Sequence, residues 1–186
     1  MRLFVAIAIP DEIRLALAAF VDELRTAAPQ AKWVRTDNLH VTLKFLGETD
    51  SAKLSQVQAG LAAIRSRQAV TLSFHGLGFF RNEQRPRVFW VAIEASPNVA
   101  PLAVDIDRAM HKLGFPLEER AFTPHLTLAR FNPPGLPRNL QAAVQQNHSR
   151  GFGSLTAAEF QLIESKLKPS GAEYTTLQSF PFVSEN

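Results

Sequence analysis

Apolar positions in this chain follow two periods in turn, one near 2 and one near 3.6, and the changeovers mark its elements. Arg2 to Ile9 is a β-branched and aromatic run bounded by Pro10, which predicts a buried strand. Asp11 to Ala28 carries Ile13, Leu17, Phe20, Val21 and Leu24 at helical spacing, with acidic residues in its first turn and Pro29 closing it. Leu39 to Leu46 predicts a strand ending at Gly47. Ser51 to Arg67 predicts a helix with Leu54, Val57, Leu61 and Ile64 on one face. Val70 to Phe80 and Arg87 to Ile93 predict two strands joined by the polar, proline-containing turn Arg81 to Pro86.

The rhythm then recurs. Asn98 to Leu113 predicts a helix with Leu102, Ile106, Met110 and Leu113 on its buried side, stopped by Gly114. Thr123 to Phe131 predicts a strand, broken by Pro133-Pro134-Gly135. A short polar helix is expected from Asn139 to Gln146. A closing hairpin follows: Glu159 to Leu167, the turn Pro169-Ser170-Gly171, then Tyr174 to Phe182.

Two stretches repeat. Phe4-Val5-Ala6-Ile7 matches Trp90-Val91-Ala92-Ile93, with Val5 and Val91 86 residues apart. Leu39-His40-Val41-Thr42-Leu43 matches Pro124-His125-Leu126-Thr127-Leu128, with His40 and His125 85 residues apart. Two matches at nearly one offset imply two halves, about 1–70 and 87–150, each holding strand, helix and a strand bearing His-x-Thr-Leu, with the hairpin 159–182 closing the chain. No linker separates them. A single domain over 1–186, its two lobes sharing one cleft, is the organisation expected.

Composition narrows the chemistry. An apolar share of 46% and a charged share of 20% suit a packed globular core. No apolar run approaches the roughly 18 residues that span a membrane, and the short N-terminal run meets Asp11 and Glu12 at once, so it reads as a strand and not as a signal peptide. A cytoplasmic location and a monomeric state are expected. The absence of cysteine excludes disulfides, thiolate nucleophiles, thiolate zinc sites and iron–sulfur clusters. The net charge of +3 suits an anionic ligand and equally suits ordinary solubility.

Side chains on a strand alternate faces, so His40 shares a face with Thr42, and His125 with Thr127, while Val41, Leu43, Leu126 and Leu128 point to the core. If a pseudo-twofold axis relates the halves, the two polar faces meet across the cleft. A pair of imidazoles suits a reaction that both removes and donates a proton at neutral pH. Threonine hydroxyls beside them can donate to phosphate oxygens as charge grows there. One His-x-Thr means little; two on matching strands at the repeat offset point to a paired site.

These features resemble the two-histidine phosphoesterase superfamily and, more closely, the bacterial and archaeal RNA 2′,3′-cyclic phosphodiesterases, historically called 2′-5′ RNA ligases. The resemblance runs through Arg2-Leu3-Phe4-Val5-Ala6-Ile7, Leu39 to Gly47, Phe122 to Arg130, and the late hairpin Ser165 to Tyr174 with its Gly171. It implies a bilobal, pseudo-symmetric α/β (α+β) fold with mostly antiparallel sheets around a central cleft. It also implies metal-independent, cofactor-free opening of a 2′,3′-cyclic phosphate, on an RNA terminus or a small cyclic nucleotide, to a 2′-phosphate. His125 is then the proton acceptor, His40 the proton donor, and Thr42 and Thr127 the phosphate holders. Reversible 2′-5′ end joining and a non-catalytic phosphate-end binding module are the alternatives.

Secondary candidates divide. Strict alternation turns Arg130 away from the cleft, whereas the family pattern His-x-Thr-Leu-x-Arg favours contact with phosphate. Lys44 has the parity of His40 and Thr42, and either extends an anion-binding face or snorkels to solvent. Phe45 is a candidate base-stacking residue, but its parity with Val41 and Leu43 favours core. Phe79 and Phe80 pose the same choice beside the basic turn of Arg81, Arg85 and Arg87, which either contacts an RNA backbone or is a solvated tip. His111 is expected on the solvent side of its helix and His148 in a polar loop, His75 has no partner at ligand spacing, and no metal motif or glycine-rich phosphate loop is present.

Overall fold

The computed structural model describes residues 1–64, 68–80, 85–132, 135, 137–169 and 171–183. In chain order the elements are β1 (Arg2–Ala8), α1 (Asp11–Arg25), β2 (Lys32–Trp33), β3 (His40–Glu48), α2 (Leu54–Ala62), β4 (Val70–Phe80), β5 (Val88–Ala95), α3 (Val99–His111), β6 (His125–Arg130), α4 (Arg138–Gln146), β7 (Gly151–Ala157), β8 (Glu159–Lys168) and β9 (Gly171–Pro181). They form two sheets, ordered β3-β1-β8-β9 and β2-β6-β5-β4-β7. Every pairing between these strands is antiparallel.

Neither sheet belongs to one half of the sequence. β4, which follows the first half, pairs with β5, which begins the second. β8 returns from the far end of the chain to pair with β1. The helices cross over as well. α1 follows β1 but lies on β7 of the other sheet, where the Phe20 and Phe152 rings sit 5.1 Å apart. α3 follows β5 but reaches β3.

Burial explains these choices. Leu3, Val5 and Ile7 on one face of β1, Phe89, Val91 and Ile93 on β5, and the Leu17, Phe20, Val21 and Leu24 stripe of α1 join one continuous core. Each such side chain contributes about 1.5–3 kcal/mol by leaving water. A second, small cluster of Phe4, Ala6 and Ile163, with Tyr174 against it, lies apart from that core. It forms on the opposite face of the first sheet, since Phe4 and Ala6 alternate with Leu3, Val5 and Ile7.

Two strands escaped the sequence pattern. β7 reads Gly-Phe-Gly-Ser-Leu-Thr-Ala, and its two glycines hide the alternation; Gly153 has φ +113°, and a Cβ there would stand 3.2 Å from Ile13. β2 is only two residues long, too short for any period. α1 ends at Arg25, three residues before the expected Ala28, because the chain turns before Pro29. The segment from Ser51 opens with a 3₁₀ turn over Ser51–Lys53. Arg81 in the basic turn and Pro133-Pro134 lie outside the described residues.

Candidate active site

His40 begins β3, an edge strand of the first sheet, and His125 begins β6 of the second, and both line the cleft. Both rings are held in the same way. Nδ1 of His40 donates to the Asn38 carbonyl at 2.6 Å, and Nδ1 of His125 donates to the Thr123 carbonyl at 2.8 Å. A neutral imidazole that donates from Nδ1 carries its lone pair on Nε2, so each histidine offers Nε2 to the cleft. Aromatic rings wall both: Phe4 at 4.6 Å and Tyr174 at 5.2 Å from His40, Phe80 at 4.6 Å and Trp90 at 6.4 Å from His125.

The cleft has a volume of about 410 Å³ and is lined by His40, Thr42, His125, Thr127, Arg130 and Phe45 among others. Neither threonine hydroxyl has a hydrogen-bond partner among the described residues, which leaves both as donors to a ligand. No cluster of three or more metal-ligating side chains occurs among the described residues.

Strand register decides which side chains join this face. Along β1 and β3, Ala8 stands opposite His40, Ala6 opposite Thr42, and then Val5 opposite Lys44 and Phe4 opposite Phe45, so Leu43 is an extra, unpaired residue. Along β5 and β6, Ala92 stands opposite His125, Trp90 opposite Thr127, and then Phe89 opposite Ala129 and Val88 opposite Arg130, leaving Leu128 as the extra residue. The same β-bulge therefore follows each His-x-Thr. A bulge inserts one residue and reverses the parity beyond it. Arg130 and Phe45 consequently face the cleft.

This corrects two expectations. Lys44 does not extend the anion-binding face: the bulge turns it inward, where it is 7% exposed, donates to the Pro116 carbonyl at 2.9 Å and pairs with Asp107 of α3. Phe45 is not core. It is 60% exposed and lies on the cleft wall beside Phe4. Phe79 stacks on Phe89 at 5.1 Å, whereas Phe80 stands edge-on to His125.

The register also revises the repeat. Ala8 and Ala92 hold equivalent places opposite the two histidines, an offset of 84 and not 86 for the first strands. The two-residue difference preserves facing, so the reading of the motif strands is unaffected.

Burial sets the electrostatics. Desolvation lowers the His40 pKa from 6.5 to about 4, against an opposing rise from the Asn38 hydrogen bond. His125 is also lowered, first by desolvation, with its Thr123 hydrogen bond opposing and the Arg130 charge lowering it further. Both imidazoles are therefore neutral in the free protein at pH 7.

Sequence reasoning gave no role to Asn38, Arg2 or Tyr174, all of which line the cleft. Asn38 was recognisable only through its spacing, two residues before His40. Its side-chain amide also donates to the Ala172 carbonyl of β9 at 2.7 Å, tying the late hairpin to the histidine.

The LigT-like phosphoesterase family model matches this chain twice, over residues 7–90 and 91–174, and the two matches begin 84 residues apart, as the strand register does. An Archaeoglobus fulgidus protein named RNA 2′,3′-cyclic phosphodiesterase is 34% identical over 97% of this chain and 99% of its own length. A Thermus thermophilus protein of the same name is 33% identical over 100% of this chain and 92% of its own. Among solved structures, TT0787 of Thermus thermophilus superposes with a TM-score of 0.83 at 32% identity, covering 100% of both chains. Escherichia coli LigT in complex with 3′-AMP gives a TM-score of 0.76 at 27% identity, covering 97% of both. Two matched halves, two bulged His-x-Thr strands and full-length similarity agree: this chain belongs to the LigT-like phosphoesterases.

Proposed function

We propose that this protein opens 2′,3′-cyclic phosphates on RNA ends to 2′-phosphates, with no metal or cofactor. The observation that carries this reading is the pair of imidazoles locked through Nδ1 on equivalent strands, with two unpartnered threonine hydroxyls and Arg130 in the same cleft. The curated relatives carry the matching name, and LigT of Escherichia coli has been crystallised with 3′-AMP and with phosphate.

Thr42, Thr127 and Arg130 hold the non-bridging phosphate oxygens and stabilise the charge that grows on them. Water attacks phosphorus, its proton passes to Nε2 of His125, the bond from phosphorus to O3′ breaks, and His40 delivers its Nε2 proton to O3′. Arg130 favours this division of labour, because its charge, added to the larger effect of burial, helps keep His125 unprotonated and so free to accept a proton. His40 is lowered by burial, and the incoming anionic phosphate raises its pKa and loads the proton it needs. The wall beside His40 is aromatic, with Phe4, Phe45 and Tyr174, and accepts the nucleoside that carries the leaving oxygen. The pairing of β8 with β1 and of β4 with β5 ties the whole chain into one functional unit. Among the described residues no helix is long and apolar enough to cross a membrane.

The test is incubation of the protein in EDTA with a short RNA ending in 2′,3′-cyclic phosphate. A 2′-phosphate product, lost in His40→Ala and in His125→Ala with folding intact, is expected. A 3′-phosphate product would overturn the choice of leaving group, and full turnover by either variant would overturn the site.

A further inference from the structure

The cleft holds more positive charge than a cyclic phosphate requires. A 2′,3′-cyclic phosphate carries one negative charge, and Arg130 with the two threonines already faces it. A second arginine, Arg2, lines the same cleft from the opposite sheet. It lies two residues before Phe4 on the face that also carries Ala6, about 7 Å farther along β1 at ordinary strand rise, while the Phe4 ring touches that of His40 at 4.6 Å. Ser165, its partner across to β8, lines the cleft too.

Arg2 has no ion pair among the described residues. Glu48 stands opposite it on β3, but the Glu48 carboxylate turns to the N-terminal amine at 3.9 Å. Tyr174 lies within the field of both arginines: burial raises its hydroxyl pKa, and Arg2 and Arg130 each pull it down. An unpaired guanidinium at a cleft wall suits a phosphate, which it binds through two parallel hydrogen bonds.

Building on the phosphodiesterase reading, we propose that Arg2 forms a second phosphate subsite, for the phosphate on the 5′ oxygen of the nucleotide whose cyclic phosphate is opened. Successive phosphates of a nucleotide chain are one ribose apart. With the cyclic phosphate between the histidines and the nucleoside on the Phe4 and Phe45 wall, the 5′ phosphate is the next anion along the first sheet. The subsite makes the preferred substrate an RNA end, or a 5′-phosphorylated nucleotide, over a cyclic nucleotide that lacks that group.

The experiment compares a nucleoside 2′,3′-cyclic phosphate, its 5′-phosphorylated form, and a dinucleotide ending in a cyclic phosphate, using the full chain in EDTA. The readout is the ratio of kcat/KM with and without the 5′ phosphate, in wild type and in Arg2→Gln and Arg2→Lys. A charge-assisted contact of this kind gives a ratio of about tenfold or more in wild type. The ratio should fall toward one in Arg2→Gln and be partly kept in Arg2→Lys. In parallel, the dissociation constants of adenosine 2′-phosphate and adenosine 2′,5′-bisphosphate are measured for the same proteins. Their ratio reports the subsite without turnover, so an Arg2-dependent binding ratio in a protein that hydrolyses nothing would keep the subsite and remove the phosphodiesterase. A ratio that is the same in wild type and Arg2→Gln would overturn the proposal. So would a gain seen with the dinucleotide but not with the 5′-phosphorylated nucleotide, which would mean that the neighbouring nucleoside is recognised instead.

Discussion

Replacing Lys44 by methionine should cost stability and not substrate affinity. The side chain of Lys44 is 5% exposed and that of Asp107 18%, and Lys44 bridges β3 to both α3 and the Pro116 carbonyl. Methionine keeps the volume and removes the charge, leaving the Asp107 carboxylate with only the Glu118 amide, at 3.2 Å and 3.3 Å from its two oxygens. Breaking a buried pair from one side costs about 3–5 kcal/mol; the residual exposure of Asp107 and its remaining hydrogen bonds reduce this to about 2–3 kcal/mol. For a chain of this size that lowers Tm by about 5–10 °C. Adding Asp107→Asn, which still accepts from the Glu118 amide but carries no charge, should restore more than half of the loss. Thermal unfolding followed by circular dichroism gives the stabilities, and KM for a cyclic phosphate substrate is measured well below Tm. A tenfold rise in KM at unchanged Tm would refute the reasoning, because it would place Lys44 on the anion-binding face and deny the bulge its effect.

Other outcomes follow from the same geometry. His40 should titrate near pH 4 in the free protein by NMR and move toward neutrality when adenosine 2′-phosphate fills the cleft; an imidazole that stayed near pH 4 with ligand bound cannot be the proton donor. Because the unfolded chain takes up this proton near pH 6.5 and the folded one only near pH 4, stability should fall by about 3 kcal/mol as pH drops through that window, and His40→Gln should flatten the slope measured by urea unfolding. Arg130→Gln should lower kcat/KM by about 10- to 100-fold and raise the pKa of His125 somewhat, since burial holds it down most and the lost charge added to that; an unchanged His125 titration would contradict the role given to Arg130. Gly78→Ala should destabilise by about 1–3 kcal/mol, because a Cβ there meets the Trp90 ring at 2.5 Å; a neutral effect in chemical denaturation would mean that Trp90 can move without loss.

Much of the site was legible before any fold was known, because it rests on local rules. Strand alternation places His40 with Thr42 and His125 with Thr127 whatever surrounds them, and a repeated motif at one offset announces pseudo-symmetry. Apolar spacing likewise marked α1 and α3, whose buried stripes are the residues at helical period. Parity failed where a non-local event intervened. The bulges at Leu43 and Leu128 exist because β1 and β5 pair with the motif strands in a shifted register, and no residue in the motif announces the extra position. That one-residue shift sent Lys44 to Asp107 and brought Phe45 and Arg130 to the cleft.

By itself, then, the sequence determined the elements, the two motif strands and the kind of chemistry they support, all set by steric alternation and side-chain type within a few residues. Only the tertiary structure decided that β8 returns to pair with β1, that Asn38 ties the β9 hairpin to His40, and that Arg2 and Arg130 line one cleft. Those contacts join residues far apart in the chain, and their energy comes from burying both sheets and the helices packed on them in one core, a sum that no local stretch contains.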